Sequence, residues 1–114
     1  MSPRPGEVWL ADLGLAAKPR PVVIVSRYDP DPPRALIIYV PLTTQNRNSA
    51  YEVVLPKLRF LDRDSVVNVQ GIASLPKVRL ERKLGELSDE VMNEIKRTIA
   101  FALSLETNQT HKPG

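Results

Sequence analysis

The sequence has no cysteine and a single histidine, His111. The first absence excludes a disulfide scaffold, a cysteine-based zinc site and a thiol nucleophile. The second excludes a histidine pair or a multi-histidine metal centre within one chain. No apolar run approaches the roughly 18 residues that a membrane-spanning helix needs. The first six residues, Met1-Ser2-Pro3-Arg4-Pro5-Gly6, lack the apolar segment of a secretory signal. A cytoplasmic protein with no membrane association is therefore expected. There is no glycine-rich phosphate loop, no metal-ligand spacing and no Ser-His-Asp set. Proline is absent from residues 77–112, although eleven prolines occur in the chain. Only that stretch can carry a long uninterrupted helix.

What is present is one domain's worth of ordinary globular chain. Its 114 residues are 42% hydrophobic and 25% charged, which argues against disorder. The expected domain covers residues 1–106, followed by a disordered polar tail over 107–114 that contains His111. The net charge of +3 is unevenly divided. Residues 1–85 carry 13 basic and 8 acidic side chains, whereas residues 86–114 carry 3 basic and 5 acidic. A basic body of this kind permits a polyanionic partner.

Short β-rich runs punctuated by proline fill the first three quarters. Strands are expected over residues 7–13, 21–26 and 35–40, the last ended by Pro41, and over residues 51–55, stopped by Pro56. Residues 65–74 alternate polar and apolar in part and read as one long strand with a bend at Gly71. Residues 83–87 read as a last short strand. The period then changes. Val91, Met92, Ile95, Ile99, Ala102 and Leu103 recur at helical spacing, which predicts an amphipathic helix over residues 89–105. Ser88 is suited to cap it, Asp89 and Glu90 favour its dipole, and Leu87 with Met92 occupy the positions of a hydrophobic staple. The pattern implies a mainly β fold with a C-terminal α-helix, a small antiparallel barrel or strongly bent sheet.

Two places gather polar groups at the ends of buried strands. In Lys18-Pro19-Arg20-Pro21 an arginine stands between two prolines, which restrict the backbone around it. Its guanidinium fork matches a phosphate bidentately. In Pro41-Leu42-Thr43-Thr44 two adjacent hydroxyls can donate to a phosphate oxygen or satisfy local turn backbone. Trp9 reads as a core residue and Arg79-Leu80-Glu81-Arg82-Lys83 as a solvated edge. Asp62 and Asp64 form a carboxylate pair in a charged connection, and Ser65 and Asn68 either line a groove or face water.

Taken in order, these segments resemble the MazF/PemK family of toxin endoribonucleases. The resemblance runs from Pro5-Gly6-Glu7-Val8-Trp9 and Asp12-Leu13 through Arg20-Pro21-Val22-Val23-Ile24-Val25-Ser26 to Val40-Pro41-Leu42-Thr43-Thr44. It continues with Asp64-Ser65-Val66-Val67, Gln70, Arg79-Leu80, Lys83-Leu84-Gly85-Glu86-Leu87 and the closing helix. It implies an SH3-like barrel and a homodimer. It implies metal-independent cleavage of single-stranded RNA at short sequences, without a cofactor, and a cognate antitoxin whose acidic or apolar segment blocks the RNA groove. Arg20 and Thr43 would be the catalytic residues. Lys18, Thr44, Gln45, Arg47, Asn68 and Gln70 are the expected substrate-binding residues.

Metal-free RNA cleavage uses the ribose 2′-hydroxyl as an internal nucleophile, so the protein must hold the attack in line and offset charge on the phosphorane. Arg20 and Thr43 suit that task. Nothing in the sequence marks a general base, Glu52 and Asp64 included. Two departures from some family members stand out. Val67 and Val69 occupy positions where an arginine and an acidic residue occur, and the 14–19 loop has no histidine, Lys18 being its only charge. Two other readings remain open here. One is a protein-targeting toxin of the CcdB type, disfavoured because residues 106–114 contain no Trp, Phe or Tyr. The other is a non-catalytic SH3-like binding module.

Overall fold

The computed structural model describes residues 2–14 and 18–105. The expected tail, with His111, lies outside these residues. Seven strands precede one helix: β1 Glu7–Ala11, β2 Arg20–Ile24, β3 Leu36–Thr43, β4 Glu52–Val54, β5 Val66–Asn68, β6 Ala73–Pro76, β7 Leu80–Glu86 and α1 Asp89–Ala102. Every pairing is antiparallel, in the order β4-β5-β3-β2-β1-β7, with β6 also on β3. Among the described residues no ladder joins β4 to β7, so the sheet does not close into a barrel. The expected mainly β fold with a C-terminal helix is the one observed.

The run Val22-Val23-Ile24 is continuous rather than alternating because β2 is covered on both sides. Val23 packs with Val8, Val40, Leu42, Val67 and the helix residues Met92 and Ile95. Val22 and Ile24 pack on the other face with Trp9, Ala11, Ile37, Leu75 and Leu80. A strand buried on both faces has no polar side to show. Trp9 is thus a core residue, as read from the sequence.

Several boundaries differ from expectation; β2 runs from Arg20 to Ile24 and β4 from Glu52 to Val54. Strand β1 stops at Ala11, short of residue 13. Strand β3 does not end at Pro41 but continues to Thr43. Pro41 sits where β3 changes partners: it lies opposite Val22 of β2, whereas Leu42 and Thr43 pair with β5. A proline lacks the N–H for a continuous ladder, and this changeover is where one is dispensable. The expected strand over 65–74 is two strands separated by a 3-10 turn, Val69–Gly71. Gly71 packs so closely on Pro41 that an added Cβ would stand 2.7 Å from its Cγ. The last strand is seven residues long and begins at Leu80, because it pairs along the whole of β1.

The helix starts as its capping residues dictate. Ser88 Oγ accepts the Val91 N–H at 3.2 Å, and Leu87 and Met92 are buried in the same cluster. It ends at Ala102 instead of residue 105. Ser104 adopts φ +57°, its N–H reaches the Phe101 carbonyl at 3.2 Å, and the Leu105 N–H reaches the Ala100 carbonyl at 2.8 Å. This is a Schellman termination with serine where glycine is usual. It leaves Leu103 exposed, although its spacing had placed it on the core face.

Candidate active site

Arg20 opens β2, is exposed, and pairs across to Ala11. Thr43 closes β3 and pairs with Val66. The β2–β3 register sets Val22 opposite Pro41 and Ile24 opposite Tyr39. The ladder ends at Val22 and Pro41, and Arg20 and Thr43 each stand two residues beyond that last pair, one on each strand. Side chains alternate along a strand, so cross-strand partners share a face. Arg20 therefore lies on the face of Val22 and Ile24, and Thr43 on the same one, because Leu42 turns to the helix side. The next strands follow suit. Val67 and Val53 are buried toward the helix, which puts Asn68 of β5 and its partner Glu52 of β4 on the Thr43 side. One face thus carries guanidinium, hydroxyl, amide and carboxylate on four successive strands.

The segment 44–51 is held over this face by side chains. Thr43 Oγ1 accepts the Gln45 N–H at 3.1 Å. Glu52 Oε1 accepts the N–H groups of Arg47 and Ser49, each at 3.1 Å. Asn46 Oδ1 accepts the Asn48 N–H at 2.8 Å, and Asn48 adopts φ +54°, a conformation asparagine tolerates. The Arg47 guanidinium donates to Gln45 Oε1 at 3.2 Å. Beneath the segment lies a cleft of about 380 Å³ lined by Thr43, Gln45, Arg47, Ser49, Glu52, Asn68, Gln70 and Gly71.

Five of the eight expected site residues meet in that cleft: Thr43, Gln45, Arg47, Asn68 and Gln70. Arg20 stands outside its walls, at the adjoining strand end, and Lys18 is an exposed residue two positions before it. Thr44 faces elsewhere. It lines a cleft of about 460 Å³ with Asp64 and Ser65, and another of about 450 Å³ with Pro21, Phe60, Arg63 and Arg82. Adjacent hydroxyls on a strand end diverge because alternation sends them to opposite sides. Ser49 and Gly71 were missed in the sequence. Their presence follows from the Glu52–Asn68 pairing and the turn at Val69–Gly71, which local pattern does not specify. Among the described residues, no three His, Cys, Asp or Glu side chains gather to hold a metal ion.

A bent antiparallel sheet backed by one helix, with cationic and hydroxyl groups at adjoining strand ends, defines a small β protein with one polar face suited to a polyanion. Residues 4–103 match the family of PemK-like, MazF-like toxins of type II toxin-antitoxin systems, and the chain belongs to that family. It is 33% identical to endoribonuclease MazF of Staphylococcus saprophyticus, over 96% of this chain and 98% of the relative. It is 34% identical to the probable endoribonuclease MazF5 of Mycobacterium tuberculosis, over 89% and 93% of the two chains. A solved mycobacterial endoribonuclease in complex with its cognate antitoxin superposes with TM-score 0.79 at 32% identity, covering 91% of this chain and 97% of the other.

Proposed function

We propose that the protein is the toxin of a type II toxin-antitoxin system and acts in the cytoplasm as a metal-independent endoribonuclease on single-stranded RNA. The observation that carries the reading is the shared face that brings Arg20 and Thr43 to adjoining strand ends, beside a cleft lined with amide and guanidinium groups. In the proposed reaction the ribose 2′-hydroxyl gives up its proton to solvent, its oxygen attacks the adjacent phosphorus, and the bond to the 5′-oxygen breaks as that oxygen takes up a proton from solvent. The products are a 2′,3′-cyclic phosphate and a 5′-hydroxyl. The Arg20 fork offsets charge on the phosphorane, and its pairing with two oxygens holds the attack in line. Thr43 Oγ1 already accepts an N–H from Gln45, so its own hydrogen is free to donate to a non-bridging oxygen. Lys18 extends the positive charge upstream of Arg20, and Thr44 supplies a second hydroxyl at the other side of the strand end. Gln45, Arg47, Asn68 and Gln70 present donors and acceptors to base edges, which gives preference for short sequences.

Partners are read from a second surface. We propose a homodimer and an antitoxin with an acidic, partly apolar segment. Support comes from a groove of about 370 Å³ on the first half of β3, where exposed Leu36 and Ile38 lie beside Arg27, Arg34 and Lys77.

The test is cleavage of a long single-stranded RNA in EDTA by the wild type and by Arg20→Ala. The expected result is discrete fragments with 5′-hydroxyl ends, formed roughly 10²–10³ times more slowly by the variant. Intact RNA beside a folded wild-type protein, or undiminished cleavage by the variant, overturns the assignment.

A further inference from the structure

Among the described residues Glu52 is the one carboxylate in the cleft wall. We propose that it is a positioning residue: it fixes segment 44–51 in the shape that reads RNA bases, and so governs which sequences are cut. This rests on the nuclease reading above.

The geometry is that of a clamp. A single oxygen, Oε1, receives two backbone N–H groups, from Arg47 and Ser49 at 3.1 Å each. Both bonds are charge-assisted, and together they fill that oxygen's two lone pairs. The carboxylate is rooted in β4 and its residue pairs with Asn68 of β5, so the clamp passes the rigidity of the sheet to the segment. The other end is fastened by Thr43 Oγ1 to the Gln45 N–H. Between the two fastenings lie Gln45, Asn46 and Arg47, whose amide and guanidinium groups are suited to hydrogen-bonding base edges. Without the clamp the two N–H groups lose their partner, and the segment loses the constraint that aims those side chains. Such a loss weakens and broadens binding while leaving the groups at the phosphate in place.

The experiment compares wild type, Glu52→Gln and Glu52→Ala. Steady-state cleavage of a short RNA carrying one wild-type site is measured across pH, and cleavage sites are mapped on a long RNA. Backbone amide exchange at Arg47 and Ser49 is measured alongside. A glutamine oxygen still accepts both N–H groups. Glu52→Gln should therefore retain kcat within about threefold, the wild-type pH profile and the wild-type sites. Glu52→Ala should raise KM about tenfold or more with a smaller change in kcat, cut at additional sites, and exchange the two amides faster. Equal loss of kcat in both variants with an altered pH profile would indicate proton transfer and overturn the proposal. Unchanged KM and sites in Glu52→Ala would overturn it as well. Should Glu52→Ala not fold, Glu52→Gln decides alone, because a large loss of kcat there contradicts a clamp. A wild type that cuts no RNA overturns the nuclease reading, and the two failures are thereby told apart.

Discussion

Thr43 serves two purposes with one side chain. Its oxygen accepts the Gln45 N–H, and its hydrogen remains available to a substrate. Thr43→Val keeps the shape and removes both, whereas Thr43→Ser keeps both. Single-turnover cleavage is expected to fall roughly 10²-fold in the valine variant and to stay within about tenfold of wild type in the serine variant. A valine variant that cleaves normally would remove Thr43 from the reaction. Glu7, away from the site, shows what a polar group contributes to stability. Burial pushes its carboxyl up, but this is outweighed by hydrogen bonds from the Trp9 indole at 2.9 Å, the Arg4 N–H and the Lys83 ammonium, together with the Lys83 charge. The net shift is downward. A carboxyl lowered in the folded state adds stability above its unfolded value, and that stability is lost as pH falls through the folded one. Glu7→Gln is therefore expected to lose about 1 kcal/mol at pH 7 and to match wild type in strong acid. Urea unfolding at both pH values checks this.

The elements show which features of sequence are local and which are not. The helix start was legible because Ser88, Asp89, Glu90, Leu87 and Met92 act within one turn of each other. Its end was not, because Ser104 carries no mark of the left-handed conformation that glycine would have announced. Ser104→Gly relieves that conformation and is expected to stabilise the protein by roughly 0.5–1 kcal/mol, read as a higher urea midpoint. The β-branched cores of β2 and β3 were also legible from their apolar runs. The split of the 65–74 segment and the passage of β3 through Pro41 were not, since both depend on the meeting of Gly71 with Pro41 across the sheet. Within the candidate site, residue types at strand ends pointed to Arg20 and Thr43. The divergence of Thr43 from Thr44 and the clamp by Glu52 required the strand pairing. A long-range contact of another kind holds the 56–65 connection: Phe60 lies against Gly85, where any Cβ would collide with its ring.

At the scale of the whole molecule, charge matters more than any one contact. With a net charge of +3 and phosphate-facing cations at Lys18 and Arg20, RNA binding should weaken with salt. Two phosphate contacts to single-stranded RNA give a slope of roughly −1.4 in log K against log salt, so a fourfold rise in salt should weaken binding about sevenfold. Titration of an uncleavable 2′-deoxy oligonucleotide at several salt concentrations measures the slope. A flat response would mean that the basic side chains do not meet phosphates. Strand β3 carries a further consequence. It pairs with β2 and β6 along one stretch and with β5 at its end. Neither part of the sheet has its own centre, because each depends on the same eight-residue strand. The molecule should consequently open as one cooperative unit, with no partly melted form that keeps Arg20 and Thr43 together. Loss of the fold and loss of the strand-end constellation are then a single event, and a protease that catches the open chain destroys both.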